Sequence, residues 1–395
     1  MEAERIDGAA RPGLMKSLRA TTGRTSFASR FARWRGSSAV TVAGLIALAL
    51  APWFLSDFHV GLLSKFLVFA IVAVSLDLIW GYAGILSIGH GVFFGLGAYA
   101  FGMYLKMEAA GTRLPDFMAW SGLVELPWFW RPFGDPAVAI IFVFLAPMAV
   151  GAGLSFLAFR SGIQGVYFAI VTQALALILS IFLIGQQPYF GGTNGLTNFS
   201  TAFGFSLQNP DVQFGLYYVA LAGLTLAYAV CAVITSSRFG LLLVALRDNP
   251  GRVRSFGYNP VAINVIVFTI SAGLAGLAGA IFAPIVGIVS PAMIGVVPSI
   301  EMVIWVAVGG RGTLIGAVLG AILVNGAKSS LSESFPLIWQ FILGALFIGS
   351  VLLFPSGVVG TARRLMARWR PPHPSESAPR APVAIQLSSE KEPVP

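Results

Sequence analysis

Ten long runs of apolar residues restrict the fold of this chain more than any other feature. An α-helix needs about 20 apolar residues to cross the hydrocarbon of a bilayer, and most of the runs reach or approach that length. Only 10% of the 395 residues are charged, whereas soluble proteins average about 25%, so a soluble enzyme is excluded. The sequence predicts an all-α, polytopic transmembrane helix bundle of about ten spans, at 38–56, 61–81, 86–105, 138–159, 165–185, 215–235, 262–286, 294–309, 312–331 and 337–354.

The basic residues indicate how the bundle is oriented. With the N-terminus in the cytoplasm, ten spans place all but five of the 25 Lys and Arg residues on the cytoplasmic side, as the positive-inside rule requires. We therefore expect both termini in the cytoplasm, with a basic tail at 1–37, a transmembrane domain at 38–360 and a disordered tail at 361–395. Basic tails beside spans explain the net charge of +9 better than nucleic-acid binding does.

Glycines at helical spacing predict a tightly packed bundle. Small residues three or four positions apart let helix backbones approach closely, although glycine is common in all membrane helices. The predicted packing glycines are Gly91, Gly95, Gly273, Gly276, Gly279, Gly316 and Gly320.

The stretch 77–97 predicts a broken or re-entrant helix. It contains six glycines together with Asp77, Ser87 and His90. Irregular backbone at membrane depth is tolerated where it lines a cavity or is buried in protein, and its free amides and carbonyls suit polar solutes. The alternatives are that His90 is a structural histidine bonded to a carbonyl, and that Asp77 is a capping or packing carboxylate.

The cytoplasmic loop 236–261 predicts a short helix outside the membrane. Asn249 can cap a helix that begins at Pro250, and Gly257 can end it. Such a helix, carrying Arg252 and Arg254, suits the docking of another protein, although a solvated basic loop is the alternative. The chain contains no G-x-x-x-x-G-K-[ST] phosphate-binding loop, so ATP, if used, would be bound by a separate chain, and we expect no cofactor bound directly.

The reactive residues do not predict an enzyme or a metal site. The histidines are His59, His90 and His373, and the one cysteine is Cys231; none forms a cluster with metal-ligand spacing. No serine lies in a nucleophile-elbow pattern. An ion-coupled secondary transporter would depend on Asp77, His90 and Glu301, and a passive channel for a small neutral solute would need no partner.

Five segments give the chain a resemblance to a known family. They are residues 75–94, with the sequence Ser-Leu-Asp-Leu-Ile-Trp-Gly-Tyr-Ala-Gly from Ser75, and residues 165–175, 190–197, 237–240 and 299–314. The chain resembles the permease subunits of the branched-chain amino acid type of ABC importers over about residues 38–360.

This resemblance implies a bacterial inner-membrane location, in contact with lipid, and several partners. They are a second homologous permease, two ATP-binding subunits and a periplasmic solute-binding protein. Within the family the chain is most similar to the second permease subunit of the urea importer, through Trp80, residues 114–118, 126–130 and 301–314. Urea is therefore the expected solute, and a branched-chain amino acid is the alternative.

The expected site residues form two groups. Polar residues expected along the solute pathway are Ser87, His90, Tyr167, Thr172, Gln173, Thr193, Asn194 and Glu301. Glu301 shares a helix face with Trp305, and its alternative role is a salt bridge or cap. The resemblance implies that the ATPase contacts Arg247, Asp248, Asn249, Pro250, Arg252, Arg254 and Gly257. Asn249-Pro250 departs from the family pattern of a small residue followed by an acid.

Overall fold

The protein is described by a computed structural model that covers residues 41–335, 338, 341–342, 344–345, 348–349 and 357–361. The predicted basic tail, nearly all of the predicted C-terminal tail and much of the predicted tenth span lie outside these residues.

The described part of the chain is almost entirely helical, as the apolar runs predict. Its helices are α1 (Thr41–Trp53), α2 (Asp57–Asp77), α3 (Gly91–Ala110), α4 (Asp116–Trp120), α5 (Pro136–Arg160), α6 (Val166–Gly185), α7 (Gln187–Phe190), α8 (Pro210–Ser236), α9 (Arg238–Asp248), α10 (Pro250–Ser255), α11 (Pro260–Val286), α12 (Val296–Gly309) and α13 (Leu314–Ser334). A π-helical turn, Leu78–Tyr82, continues α2. The last turn of α1, Ala51–Trp53, is a 3₁₀ turn, and further 3₁₀ turns lie at Arg131–Gly134 and Pro291–Met293.

Six of the described helices are long and apolar enough to cross a membrane. They are α2 with its π-helical turn, α5, α6, α8, α11 and α13. The apolar helices α1 and α12 are shorter, and α3 carries Lys106 and Glu108 near its C-terminal end. The count of ten spans and the cytoplasmic position of both termini therefore remain predictions.

The break expected between the second and third spans is present. The helical path stops after Tyr82, and residues 83–90 follow without regular helix until α3 begins at Gly91. The prediction that the third span starts at residue 86 was wrong, because apolarity alone does not register that Gly84, with a φ of +77°, turns the chain out of the helix.

The centre of the bundle is formed by α2, α3 and α11, and α11 packs closely on α2, α3 and α5. The carbonyl of Phe94 on α3 lies where a Cβ on Gly279 would be, and the carbonyl of Val143 on α5 lies where a Cβ on Gly276 would be. Contact between backbones at this range is possible only for glycine. The backbone of α11 therefore lies directly against α3 on one side and α5 on another.

The other glycines singled out in the sequence also face close neighbours. Gly320 of α13 lies against the carbonyl of Trp305 in α12. The remaining contacts are Gly316 with the Gly309 carbonyl, Gly91 with the Ser299 hydroxyl, Gly95 with the Ile294 side chain and Gly273 with Met148.

The outward faces of α5, α6 and α8 carry large exposed apolar side chains. Leu157, Ile178 and Val233 are each more than half exposed. Such surfaces are costly in water but are the expected surfaces of helices in hydrocarbon.

Short strands organise the segments opposite the loop 236–261. Strand β1 (Leu196–Thr197) pairs antiparallel with β4 (Ile288–Val289), and β2 (Thr201–Ala202) pairs with β3 (Phe205–Ser206). The Glu108 carboxylate at the end of α3 accepts hydrogen bonds from the amides of Phe203 and Gly204 at 3.0 and 2.6 Å. The β2–β3 turn is thereby fixed to the end of α3.

Candidate functional site

The broken segment 83–90 is largely buried, and side chains of two other helices accept hydrogen bonds from the backbone at its far end. The Ile88 amide donates to the Thr172 hydroxyl at 3.1 Å. At the start of α3, the Gly91 amide donates to the Ser299 hydroxyl at 3.2 Å. Buried backbone groups without partners are costly, so residues of α6 and α12 hold the segment in place.

His90 is fully buried at the end of the break. Its Nε2 lies 3.3 Å from the hydroxyl oxygens of both Ser75 and Ser271. The Ser75 hydroxyl donates its proton to the Val72 carbonyl, and the Ser271 hydroxyl donates its proton to the Ser75 carbonyl. Each hydroxyl has one proton, so both oxygens accept from Nε2–H.

This network assigns the tautomer of His90. With the proton on Nε2, the neutral ring presents Nδ1 as an acceptor. Nδ1 and the buried Ser87 hydroxyl have no hydrogen-bond partner among the described residues. Two of the predicted pathway residues thus offer open hydrogen-bonding positions inside the bundle.

Thr172 and Gln173 join this region from α6. Thr172 is buried; its hydroxyl donates to the Ala169 carbonyl at 2.8 Å and accepts from Ile88. The Thr172 carbonyl lies where a Cβ on Gly89 would be, so the broken segment touches the α6 backbone. Gln173 is half-buried beside it.

Three other predicted pathway residues are not brought to the break. Tyr167 is 75% exposed in the first turn of α6. Thr193 and Asn194 are exposed in the turn that precedes β1. Their expected contact with a solute stays a prediction.

Glu301 forms an ion pair with Lys328. The Lys328 Nζ lies 2.8 and 2.7 Å from the two carboxylate oxygens, and the pair bridges α12 and α13. The Glu301 side chain is 15% exposed and that of Lys328 31%. Lys328 was not among the residues predicted for the site, although an acid and a base in consecutive apolar spans are each expected to need a partner there.

Asp77, considered as a capping or packing carboxylate, is fully buried at the end of α2. Its Oδ1 accepts the Gly312 amide at 2.7 Å, in the turn between α12 and α13. The carboxylate therefore caps an amide of another element.

The loop 236–261 folds into two helices, α9 and α10. The predicted helix start is confirmed: the Asn249 side chain accepts the Arg252 amide at 3.0 Å, and Pro250 is the first residue of α10. Gly257, with a φ of +83°, follows its end. Arg252 and Arg254 are exposed. The longer helix α9 was not predicted, because its charged ends and the short apolar run between them favour a loop.

A buried lysine, Lys106, lies near the end of α3. The Lys106 Nζ bonds to the Asp116 carboxylate at 2.8 Å and to the Thr197 carbonyl at 2.7 Å. Partial burial would raise the pKa of Asp116, but the hydrogen bonds from Lys106 and from the Phe117 amide outweigh it and hold that pKa below its usual range. Lys106 thus links α3, α4 and β1.

Comparison with known proteins gives a family match that covers most of the chain. The model of the permease component of branched-chain amino acid transport systems matches residues 58–351. No solved structure gives a significant match.

Individual relatives agree with this match. The chain is 26% identical over 376 residues to the high-affinity branched-chain amino acid transport system permease protein LivM of Escherichia coli K12, covering 89% of this chain and 82% of that protein. It is 28% identical to the LivM protein of Salmonella typhimurium, covering 81% and 74%. The LivH permease of the same organism is 22% identical, covering 74% and 91%. The chain is thus a multi-pass protein of the bacterial inner membrane and not an enzyme, and it belongs to the family of permease components of branched-chain amino acid transport systems.

Proposed function

We propose that this chain forms half of the solute pathway of an ATP-driven importer and that its solute is a branched-chain amino acid. The other half is a homologous permease, two ATPase subunits dock on the cytoplasmic side, and a periplasmic binding protein delivers the solute. Relatives named as permeases of branched-chain amino acid transport systems support this proposal.

The Glu301–Lys328 pair is the structural feature that favours an amino acid over urea as the solute. Lys328 lies on α13, six residues before the last residue of that helix, Ser334, which at 1.5 Å per residue is about 9 Å along the helix. Charged groups within an apolar membrane helix are costly, and they are functional candidates by default. A carboxylate beside an ammonium complements a zwitterion, whose ammonium and carboxylate both need an opposite charge.

Urea needs no such pair, because it is neutral and planar. Hydrogen-bonding groups such as His90 Nδ1 and the Ser87 hydroxyl would be sufficient for it. The relatives described above are named for branched-chain amino acids rather than urea, so the expectation of urea has no support from them.

The ATPase subunits are proposed to dock on α9 and α10. The exposed Arg252 and Arg254 lie on a helix whose start is fixed by the Asn249 cap. The contact set is Arg247, Asp248, Asn249, Pro250, Arg252, Arg254 and Gly257.

Uptake of labelled leucine and labelled urea, in cells with and without the gene, tests the solute. We expect only leucine uptake to fall, and ATP depletion to abolish the part that depends on the gene. A loss of urea uptake alone would restore the urea reading, and no change in either would refute both.

Substitution of the ion pair adds a second measurement. Glu301→Gln with Lys328→Met is expected to reduce leucine uptake by about tenfold or more while the protein level in the membrane is retained. Glu125→Gln with Arg131→Met is the matched control, because that pair is exposed, with its nitrogen and oxygen 3.6 Å apart. Unchanged leucine uptake in the Glu301/Lys328 variant would remove the pair from the pathway.

A further inference from the structure

Two arginines from distant parts of the chain meet the end of the broken span. The Arg247 Nη1, on α9, donates to the Gly81 carbonyl at 2.7 Å. The Arg311 Nε, in the turn between α12 and α13, donates to the Trp80 carbonyl at 3.2 Å. The Arg311 guanidinium also lies over the Trp80 ring, 5.1 Å from its centroid. Both carbonyls belong to the π-helical turn that ends the span.

These contacts form a C-terminal cap. The last carbonyls of a helix lack partners within it, and the negative end of the helix dipole favours cations. Here two guanidinium groups supply both the donors and the charge, whereas a common C-terminal cap uses one residue that follows the helix. The end of α2 is thus held by residues outside its own helix.

Two glycines allow Arg247 and the turn that carries Arg311 to come so close. A Cβ on Gly84 would lie 2.6 Å from the Arg247 Cγ, and Gly84 has a φ of +77°. A Cβ on Gly81 would overlap the Asp77 carboxylate and lie 2.5 Å from the Gly312 amide nitrogen. The side chain of Arg247 therefore packs on the first residues of the broken segment as well as bonding to the helix end.

We propose that Arg247 is a positioning residue through which α9 sets the position of the broken segment 83–90, and with it Ser87 and His90. This inference rests on the proposed docking of an ATPase on the loop 236–261. Gly84 is three residues from Ser87, so a displacement of α9 reaches the open hydrogen-bonding positions through a short, buried path. Arg311 holds the same helix end from the turn between α12 and α13, which is a separate element from α9.

The far end of the segment is held by hydroxyl groups. Thr172 bonds to Ile88 and Ser299 bonds to Gly91. Hydrogen bonds to a charged donor are stronger than those between neutral groups. When α9 moves, we expect the segment to follow Arg247 and the hydroxyl contacts to exchange.

The test measures the accessibility of the broken segment in the full chain. Cys231 is fully buried, so a Ser87→Cys variant adds one thiol whose reaction with a maleimide reports exposure at that position. Arg247→Met, which retains the stem over Gly84, is introduced into this background. Arg238→Met is the matched control, because Arg238 is exposed at the first position of the same helix.

In the permease alone, Arg247→Met is expected to raise the labelling rate about tenfold, the effect of losing one charge-assisted hydrogen bond. Arg238→Met is expected to leave the rate unchanged. Arg247→Lys, which keeps a charged donor, is expected to restore slow labelling in part. An unchanged rate in Arg247→Met would overturn the proposal.

In the complex with its ATPase subunits, a non-hydrolysable ATP analogue is expected to change the labelling rate of the parent and of Arg238→Met but not of Arg247→Met. The ATPase should still co-purify with Arg247→Met, because the six other residues of the proposed contact set, Arg252 and Arg254 among them, are unchanged. If Arg247→Met still responds to the nucleotide, the proposal is overturned. If Arg247→Met loses the ATPase, Arg247 is a docking residue and the proposal is likewise overturned.

If the parent chain co-purifies no ATPase, the proposed function fails. Labelling of the isolated permease still decides whether Arg247 holds the segment.

Discussion

At the scale of single residues, the hydrogen bonding of His90 depends on two serines whose hydroxyl protons are already used in hydrogen bonds to backbone carbonyls. Ser75 and Ser271 both donate to backbone carbonyls, which leaves their oxygens to accept from the imidazole. The assignment of Nε2–H follows from counting protons, since each hydroxyl has one. An open acceptor at Nδ1 follows in turn.

Removal of both hydroxyls should therefore destabilise the protein. In Ser75→Ala with Ser271→Ala, the buried Nε2–H loses both acceptors, at a cost of about 1–3 kcal/mol. The thermal unfolding midpoint in detergent measures this. Ser155→Ala is the control, because the buried Ser155 hydroxyl only donates to carbonyls of its own helix. An equal shift in both variants would contradict the network.

The Lys106–Asp116 pair predicts a pH dependence. The pKa of Asp116 is lower in the folded protein than in the unfolded chain. The ionised Asp116 therefore contributes fully to stability at pH values above its pKa in the unfolded chain, which is about 3.9. That contribution is lost as the pH falls through the lower folded value. The difference in unfolding midpoint between the wild type and Asp116→Asn should shrink as the pH is lowered from 6 towards 3. A constant difference would argue against the pair.

At the scale of elements, the break between α2 and α3 depends on α6. The Ile88 amide donates its hydrogen bond to the Thr172 hydroxyl. Because valine has nearly the same shape as threonine, a Thr172→Val substitution removes this acceptor with little change in packing. A helix at some distance in sequence thus determines whether residues 83–90 remain ordered.

Thr172→Val is expected to increase hydrogen exchange at residues 83–90 by about tenfold, because it leaves the Ile88 amide without an acceptor. Mass spectrometry of the intact chain in detergent measures the exchange. Thr225→Val is a suitable control, since that hydroxyl donates only within α8. Protection that persists in Thr172→Val would show that another group satisfies the amide.

The sequence predicts these elements unequally. Six glycines in a short apolar stretch are enough to predict the break, and Asn249-Pro250 is enough to predict the start of α10. The Glu301–Lys328 pair could not be found by spacing, because its members lie on different helices and meet only through packing. The cap on α2 was missed for the same reason, since Arg247 and Arg311 are far from Gly81 in sequence.

At the scale of the whole molecule, α10 lies outside the six candidate membrane helices, and its Arg252 and Arg254 are exposed. The predicted ten-span arrangement places both arginines in the cytoplasm. Arg252→Glu with Arg254→Glu is expected to lower ATP-dependent uptake by about tenfold or more, because reversal of charge at an interface disfavours docking. Membrane insertion should be unchanged.

Uptake and the amount of protein in the membrane fraction are measured together. Arg160→Glu, at the end of α5, is the control, because it also reverses a positive charge that the ten-span prediction places in the cytoplasm. Normal uptake in the double variant would remove α10 from the ATPase interface.

The direct contact of α11 with the backbones of α3 and α5 has a consequence for measuring motion. Where a carbonyl occupies the place of a missing side chain, a helix cannot slide or rotate without collision. The three helices therefore serve as a fixed frame of reference, and spin labels placed on two of them should keep one distance throughout a transport cycle. Labels that pair α11 with α6 or α12 are the ones whose distance should report the change between outward-facing and inward-facing states.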